Sequence, residues 1–239
     1  MAVTAAFVGL GGGAADGDPY VLSSQTLSAG TDFIVVAISY YDATSNDVVS
    51  VKWNTTETFT LMQKGSDPDN SCWIFGLKDP TITTASIDVD LNATTEEGPC
   101  ISLIELANVG GTTVATAIAD LSVDTTAGTN SSGSLTSETN GLGIAACYNF
   151  EGSGDNDATT LITSGSGQTQ LAEFSREGNA PDTCSQQFDT KPGAATVTMG
   201  FSDMGNAIGN YITLKLAVAG GLSIPVAMNA YRQNHQSVI

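Results

Sequence analysis

Apolar and polar positions alternate along most of this chain, in short segments rich in β-branched and aromatic residues. Because successive side chains of a strand point to opposite faces of a sheet, such alternation predicts half-buried β-strands. The alternation is clearest in residues 32–41, 48–54, 71–77, 86–91, 100–107, 141–150, 167–175, 183–190, 195–201 and 210–219. It is less regular in residues 3–10, 20–27 and 131–137, which we also expect to form strands.

Helical periodicity is weak, since apolar residues seldom recur at i, i+3, i+4 and i+7 for long. Clusters of Gly, Asn, Asp, Ser and Pro, which favour turns, separate the predicted strands at residues 67–70, 152–157 and 178–182. We therefore predict an all-β fold: an antiparallel, jelly-roll-like β-sandwich with a C-terminal arm.

The domain organisation follows from the length and the spacing of the strands. All-β domains of about this length, 239 residues, often form a single unit. Residues 122–130, rich in Ser, Thr, Gly and Ala, are the nearest approach to an internal linker, but the strands on either side are too few and too short to predict two cores. We expect a β-sandwich domain in residues 1–219 and an arm in residues 220–239.

The arm follows the last strong strand and is apolar at first and polar later. An exposed apolar segment is costly in a monomer, so we expect a partner surface to cover it. The alternative is a tail that folds back on its own domain. The residues predicted to make assembly contacts are Leu222, Ile224, Val226, Met228, Tyr231 and Arg232.

The charge balance excludes several partners. Seven Lys and Arg residues stand against 25 Asp and Glu residues, a formal charge of -18, which repels phosphate backbones and anionic membranes. We therefore expect no nucleic-acid or membrane partner. The acidic residues are expected mainly to keep the protein soluble, and the alternative is that some carboxylates bind a cation. The N-terminus lacks the basic and apolar regions of a secretory signal, so we expect the chain either to stay in the cytoplasm or to leave it by another route, such as cell lysis inside a virus particle.

Four cysteines are widely spaced and form no CxxC pair, so a thiolate zinc site is not expected. Three of the cysteines, Cys72, Cys100 and Cys147, lie in apolar strand segments, which predicts that they are small buried core residues. Cys184 does not lie in such a segment. One or two disulfides remain an alternative if the protein matures in an oxidising compartment.

Catalytic chemistry finds little support in the sequence. The single histidine, His235, lies in the predicted arm, which argues against a triad. Glu105 is the one acid in an apolar strand, and we expect it on the solvated face. Residues 9–13, a glycine-rich run without a following Lys, predict a flexible bend rather than a phosphate-binding loop. We predict no enzyme activity and no cofactor.

Two binding alternatives remain open. Closely spaced oxygen ligands on loops could hold calcium, although ordinary solvated turns are the expectation; they are Asp16, Asp18, Asp67, Asp69, Asn70, Asp155, Asn156 and Asp157. Aromatic side chains could stack on sugars if they faced outward together. The candidates are Tyr40, Tyr41, Trp53 and Trp73, and alternation places at least one of the two tyrosines in the core.

The order of the segments is similar to a known family. An aliphatic strand at residues 30–41 is followed by VSVKWN (49–54), FTLMQKG (59–65), CWIFGLKDP (72–80), IDVDL (87–91), SLIELANV (102–109) and SGSGQTQ (164–170). This succession resembles a β-sandwich domain family of bacteriophage virion structural proteins and bacterial surface proteins. Thr55 stands where the family usually has Gly, and the four cysteines and the arm are not part of the family pattern.

The resemblance implies a non-enzymatic structural protein located in the virion, such as a capsid decoration, fibre or tail-associated subunit. Its expected partners are other copies of itself and other virion proteins. The alternative function is a carbohydrate-binding or adhesin module on a phage tail or cell surface, with a surface glycan as the partner.

Overall fold

The computed structural model describes residues 1–12, 19–41, 48–66, 70–91, 99–125, 130–151, 162–177, 183–202 and 206–217. Most of them lie in strands. The first nine strands are β1 (Thr4–Gly12), β2 (Tyr20–Thr26), β3 (Phe33–Tyr41), β4 (Val48–Trp53), β5 (Glu57–Thr58), β6 (Thr60–Ser66), β7 (Asn70–Lys78), β8 (Thr84–Leu91) and β9 (Cys100–Ala107). The others are β10 (Ile118–Asp124), β11 (Ser131–Thr136), β12 (Leu142–Glu151), β13 (Thr163–Ser164), β14 (Thr169–Glu177), β15 (Thr183–Pro192), β16 (Thr196–Ser202) and β17 (Asn206–Leu214).

The strands form four antiparallel sheets. Strands β1 to β9 make a five-stranded sheet, in the order β1-β9-β3-β7-β6, and a four-stranded sheet, in the order β2-β8-β4-β5. Strands β10 to β17 make a five-stranded sheet, β10-β17-β12-β15-β14, and a three-stranded sheet, β11-β16-β13. The predicted all-β, antiparallel sandwich is confirmed.

The two halves of the chain have the same topology. Replacing β1, β9, β3, β7 and β6 by β10, β17, β12, β15 and β14 converts one five-stranded sheet into the other. The register agrees as well, because Phe33 pairs with Leu106 as Leu142 pairs with Leu214. Each half therefore has its own jelly-roll order, and we call strands β1 to β9 the first jelly roll and strands β10 to β17 the second.

Matching irregularities support this internal duplication. In the first jelly roll, strand β6 bulges between Leu61 and Gln63 where it pairs with β7. In the second, strand β14 bulges between Gln170 and Ala172 where it pairs with β15. A β-bulge inserts one extra residue at a defined place in a strand, so its recurrence at the equivalent place is a structural marker of the repeat.

A ten-residue connection, residues 108–117, joins the jelly rolls and contains the four-residue helix α1 (Val114–Ala117). Thr113 caps this helix, and its side chain accepts a hydrogen bond from the backbone N–H of Thr116. The expectation that residues 122–130 approach a linker was wrong at its start, because residues 118–124 form β10. As an edge strand with a half-exposed face, β10 has a weak hydrophobic pattern.

The five-stranded sheets pack face to face and bury the largest part of the core, which we call the inner layer. Equivalent positions of the two sheets supply it, including Phe33, Val35, Ile104 and Leu106 from the first and Leu142, Ile144, Ile212 and Leu214 from the second. The smaller sheets cover the outer faces, each over its own apolar cluster. The molecule is thus a stack of four sheets.

Polar contacts across the inner layer repeat the symmetry of the fold. The Ser102 hydroxyl of β9 hydrogen-bonds to Oε1 of Gln186 on β15. Asn210 on β17 is equivalent to Ser102, and Cys72 on β7 is equivalent to Gln186. Nδ2 of Asn210 donates to the backbone oxygen of Cys72 at 2.9 Å, so the same pair of positions is in contact with the two jelly rolls exchanged. The jelly rolls are therefore related by an approximate two-fold axis through the inner layer.

Each of the ten clearly alternating segments, and each of the three less regular ones, overlaps a strand, with ends that differ by up to four residues over the described part of the chain. The sequence analysis missed the edge strands β6 and β10 and the two-residue strands β5 and β13. No helix in the described residues is long and apolar enough to cross a membrane. Residues 218–239 lie outside the described part of the chain, so the arm and its boundary stay predictions.

Candidate functional site

A cleft of about 240 Å³ opens at one end of the first jelly roll, between β1, β9 and the turn that joins β2 to β3. Glu105 lies in its wall and is only 8% exposed. The prediction that Glu105 lies on the solvated face was wrong, because the β2–β3 turn folds over its carboxylate. The turn also supplies Ser28 and Thr31 to the cleft.

The Glu105 carboxylate is held by donors from that turn. Its Oε2 accepts from the backbone N–H of Ser28 at 2.7 Å and from Thr31 Oγ1 at 2.9 Å. Its Oε1 accepts from the Ser28 hydroxyl. Three donors on two oxygens fix the position of the carboxylate. The arrangement anchors the turn to the sheet.

In the second jelly roll, a carboxylate from a different strand makes the hydrogen bonds to the equivalent segment. Thr213, at the position equivalent to Glu105, donates from Oγ1 to the backbone oxygen of Thr136 at 2.6 Å. The carboxylate comes from the neighbouring strand β10, where Asp120 accepts from the N–H of Thr136 at 2.7 Å and from that of Leu121 at 2.9 Å. The hydrogen bond from Thr136 is the main cause that lowers the pKa of Asp120. Both carboxylates act first as structural anchors.

A buried polar cluster lies between the two sheets of the second jelly roll. The Asp189 carboxylate accepts from Nε2 of Gln168 at 2.7 Å and from Nε2 of Gln187 at 2.8 Å. Gln187 Nε2 also lies 2.7 Å from the Ser164 hydroxyl, and Gln168 Oε1 accepts from the N–H of Gly200 at 2.6 Å. Burial raises the pKa of Asp189. The sequence feature that could have indicated this cluster is the alternation in β15, because it places Gln187 and Asp189 on the same face of the sheet.

Two acceptor oxygens at this cluster, Gln187 Oε1 and Glu173 Oε1, are buried without a hydrogen-bond donor from the protein. Their residues face each other across β14 and β15. Buried oxygens of this kind are commonly met by an ordered water. In the part of the chain that the structure describes, no three His, Cys, Asp or Glu side chains are grouped to hold a metal ion.

The aromatic candidates for sugar stacking are in the core. Trp53 is fully buried, Trp73 is 5% exposed and Tyr40 is 1% exposed. Trp53 Nε1 donates to the backbone oxygen of Ile82 at 2.8 Å. The ammonium of Lys64 lies 4.2 Å from the centre of a Trp73 ring. The hypothesis that these rings face outward together was wrong for Tyr40, Trp53 and Trp73, whereas the expectation that one of the two tyrosines is core is confirmed.

The expectation of buried core cysteines is confirmed for Cys72, Cys100 and Cys147, none of which forms a disulfide. Burial raises the pKa of Cys72 to about 11 and that of Cys147 well above its usual value. Since the thiolate is the reactive form, the raised pKa values lower the reactivity of Cys72 and Cys147 in the folded protein.

The glycine-rich run is a strand rather than a bend over its described residues. Gly9 and Gly11 lie in β1. A side chain at Gly9 would collide with the side-chain amide of Gln25 on β2, and one at Gly11 with Leu22. These glycines let the neighbouring sheet approach closely, a structural reason for the run that the flexible-bend interpretation missed.

The predicted assembly residues, His235 and the calcium candidates other than Asn70 lie outside the described residues; Asn70 is described only as the first residue of β7. Among the described residues the notable polar groups are instead three separate ones, the carboxylates of Glu105, Asp120 and Asp189 with their own hydrogen-bond partners. The sequence analysis predicted none of them as a site. Comparisons with protein-family models, with curated proteins and with solved structures found no match.

Proposed function

We propose that this chain is a non-enzymatic structural protein of a virion, a capsid decoration, fibre or tail-associated subunit that works through oligomeric assembly. The observation that carries the proposal is the duplicated jelly roll, whose two copies share one inner layer. Jelly rolls recur in capsid proteins and in lectins, and they supply a rigid frame with loops at the ends.

The polar groups of the described residues support the same function. The carboxylates of Glu105 and Asp120 anchor turns, and that of Asp189 is enclosed by two glutamine amides. Each is occupied by neighbours from the protein itself. Groups used in this way stabilise a fold, which is what a structural subunit requires.

A glycan-binding module is the second candidate, and the cleft at Glu105 favours it. A carboxylate can accept hydrogen bonds from sugar hydroxyls, and the cleft is open to solvent on one side. A glycan array probed with the wild-type chain and with Glu105→Gln tests it. Binding that the substitution abolishes would favour the glycan module over the assembly function.

The virion proposal is tested on particles purified by density gradient from the culture that carries this sequence. Quantitative mass spectrometry should find the chain in a high and fixed copy number per particle. A fraction of disrupted cells of the same density serves as the control. Enrichment in the cell fraction and loss from the particles would contradict the proposal.

The predicted arm has its own test. A chain that ends at Ala219 should keep its far-UV β signal and lose assembly mass in size-exclusion chromatography with light scattering, because Leu222, Ile224, Val226 and Met228 are removed. Loss of the β signal would show instead that the segment belongs to the folded core.

A further inference from the structure

Strand β1 forms an edge of the first five-stranded sheet and is free of charge. Within the described residues it pairs only with β9, so no described strand covers its other side. Its sequence, Thr4–Gly12, contains no charged residue and no proline, and residues 1–15 contain none either. Natural proteins usually protect such an edge with charges, proline or a covering segment, because an open edge pairs readily with another chain.

The other outer strands of the five-stranded sheets all carry charges. Strand β6 has Lys64, β14 has Glu173, and β10 has Asp120 and Asp124. The β10 carboxylates also accept hydrogen bonds from the backbone of β11, which lies at an edge of its own sheet. Asp124 accepts from the N–H of Ser132 at 3.2 Å, and Asp120 accepts from the N–H of Thr136. Strand β1 has neither device.

An exposed phenylalanine marks the open edge. Phe7 is 43% exposed and lies opposite Ile104 on β9. Its equivalent in the second jelly roll is Leu121, which is 40% exposed and lies opposite Ile212 on β17. The two positions are matched in exposure and in place in the fold. They differ in the charge of their strands.

We propose that β1 pairs antiparallel with β1 of a second copy of this chain, joining two five-stranded sheets into one continuous sheet. A protein of net charge -18 repels its own copies, so two copies approach at least cost where neither carries charge. Antiparallel pairing of a strand with itself is compatible with a two-fold axis, the commonest symmetry of protein dimers. The inference deepens the proposed function, on which it rests, by naming one assembly contact.

The test uses the full chain and two matched substitutions. The wild type should elute in light-scattering chromatography at twice the chain mass of 24.4 kDa, or at a higher even multiple. Phe7→Glu should halve that mass, because a carboxylate at the centre of the pairing disfavours it. Leu121→Glu, on the strand that already carries two aspartates, should keep the wild-type mass.

Ala6→Lys is a second variant for the case that Phe7→Glu fails to fold, which far-UV spectra would show. Ala6 is exposed, and a lysine on an edge strand opposes pairing. If the folded β1 variants keep the wild-type mass, or if Leu121→Glu dissociates equally, the β1 contact is overturned while assembly itself stands. A wild type that is monomeric at all concentrations overturns both this contact and the assembly function.

Discussion

The outer cores of the two jelly rolls differ, although their five-stranded sheets have the same strand order. In the first, Trp73 and Phe75 stack with ring centres 6.0 Å apart, over an apolar cluster that also contains Trp53. In the second, the positions equivalent to Trp73 and Phe75 are Gln187 and Asp189, and the apolar cluster is smaller. Strand order therefore does not depend on the chemistry of the outer core.

The inner layer shows the opposite behaviour. Equivalent positions of the two five-stranded sheets are both apolar and fully or almost fully buried in this layer. Phe33 is equivalent to Leu142, and Leu106 is equivalent to Leu214. Each five-stranded sheet has to match the other across this layer, so both copies need the same apolar face. The comparison teaches that the shared layer constrains the duplication, while the outer layers are free to differ.

The largest expected effect is on the free energy of unfolding, and it compares the aromatic outer core of the first jelly roll with the polar outer core of the second. Trp73→Ala should lower the free energy of unfolding by about 3–5 kcal/mol, the usual cost of truncating a large buried aromatic side chain. Gln187→Ala, at the equivalent position, should cost about 1–3 kcal/mol because it leaves Asp189 with one donor fewer. Urea unfolding followed by far-UV circular dichroism measures both. Equal losses would contradict the difference between the cores.

A smaller effect compares the two carboxylate anchors. Glu105→Ala should cost about 1–3 kcal/mol, because a largely buried set of hydrogen bonds to a charged group is lost. Asp120→Ala should cost less, since that carboxylate is surrounded by water and its hydrogen bonds are exposed. The same urea titration decides the order, and a reversed order would show that the Glu105 turn is not held by its carboxylate.

The smallest effect is a pair of opposite pH dependences. The pKa of Asp189 is raised by burial, so its protonated form favours folding below about pH 3.8 and this stability is lost as the pH rises through the folded value. The pKa of Asp120 is lowered, so its contribution is present above 3.8 and is lost as the pH falls. Relative to wild type, Asp189→Asn should gain stability with rising pH and Asp120→Asn should lose it. Slopes of the same sign would refute the assigned environments.

Thiol chemistry gives a qualitative comparison that does not depend on stability. Iodoacetamide at pH 8 should leave Cys72, Cys100 and Cys147 unmodified in the folded protein, since burial shields all three thiols from the reagent and also raises the pKa of Cys72 and Cys147. In urea all three should react. Peptide mass spectrometry locates the label on each cysteine, and labelling of the folded protein at any of the three would contradict its burial.

Much of the fold could be predicted from alternation alone, because segments such as 32–41 and 100–107 bury one or both faces and contain few polar residues. The edge strands β6 and β10 were missed since half of each faces solvent and its pattern is weak. The duplication was also missed. Its two copies share apolar positions, such as Ile104 and Ile212, but few identical residues elsewhere.

The sites were less predictable than the fold. Glu105 is buried because of donors from a turn more than 70 residues away in sequence, at Ser28 and Thr31, which no local pattern reveals. The alternation that puts Gln187 and Asp189 on one face was visible, but the second sheet that encloses them was not. Local sequence shows which face a residue occupies, and tertiary packing decides what covers that face.

The shared inner layer can be tested by one measurement, because both tryptophans, Trp53 and Trp73, lie in the first jelly roll. Tryptophan fluorescence therefore follows the first jelly roll alone, while far-UV circular dichroism follows both. If the jelly rolls share one core, the urea transitions by the two probes should coincide, and Ile212→Ala in the second should shift the fluorescence midpoint about as far as Ile104→Ala in the first. A fluorescence transition unmoved by Ile212→Ala, with two steps in the dichroism, would contradict the shared layer.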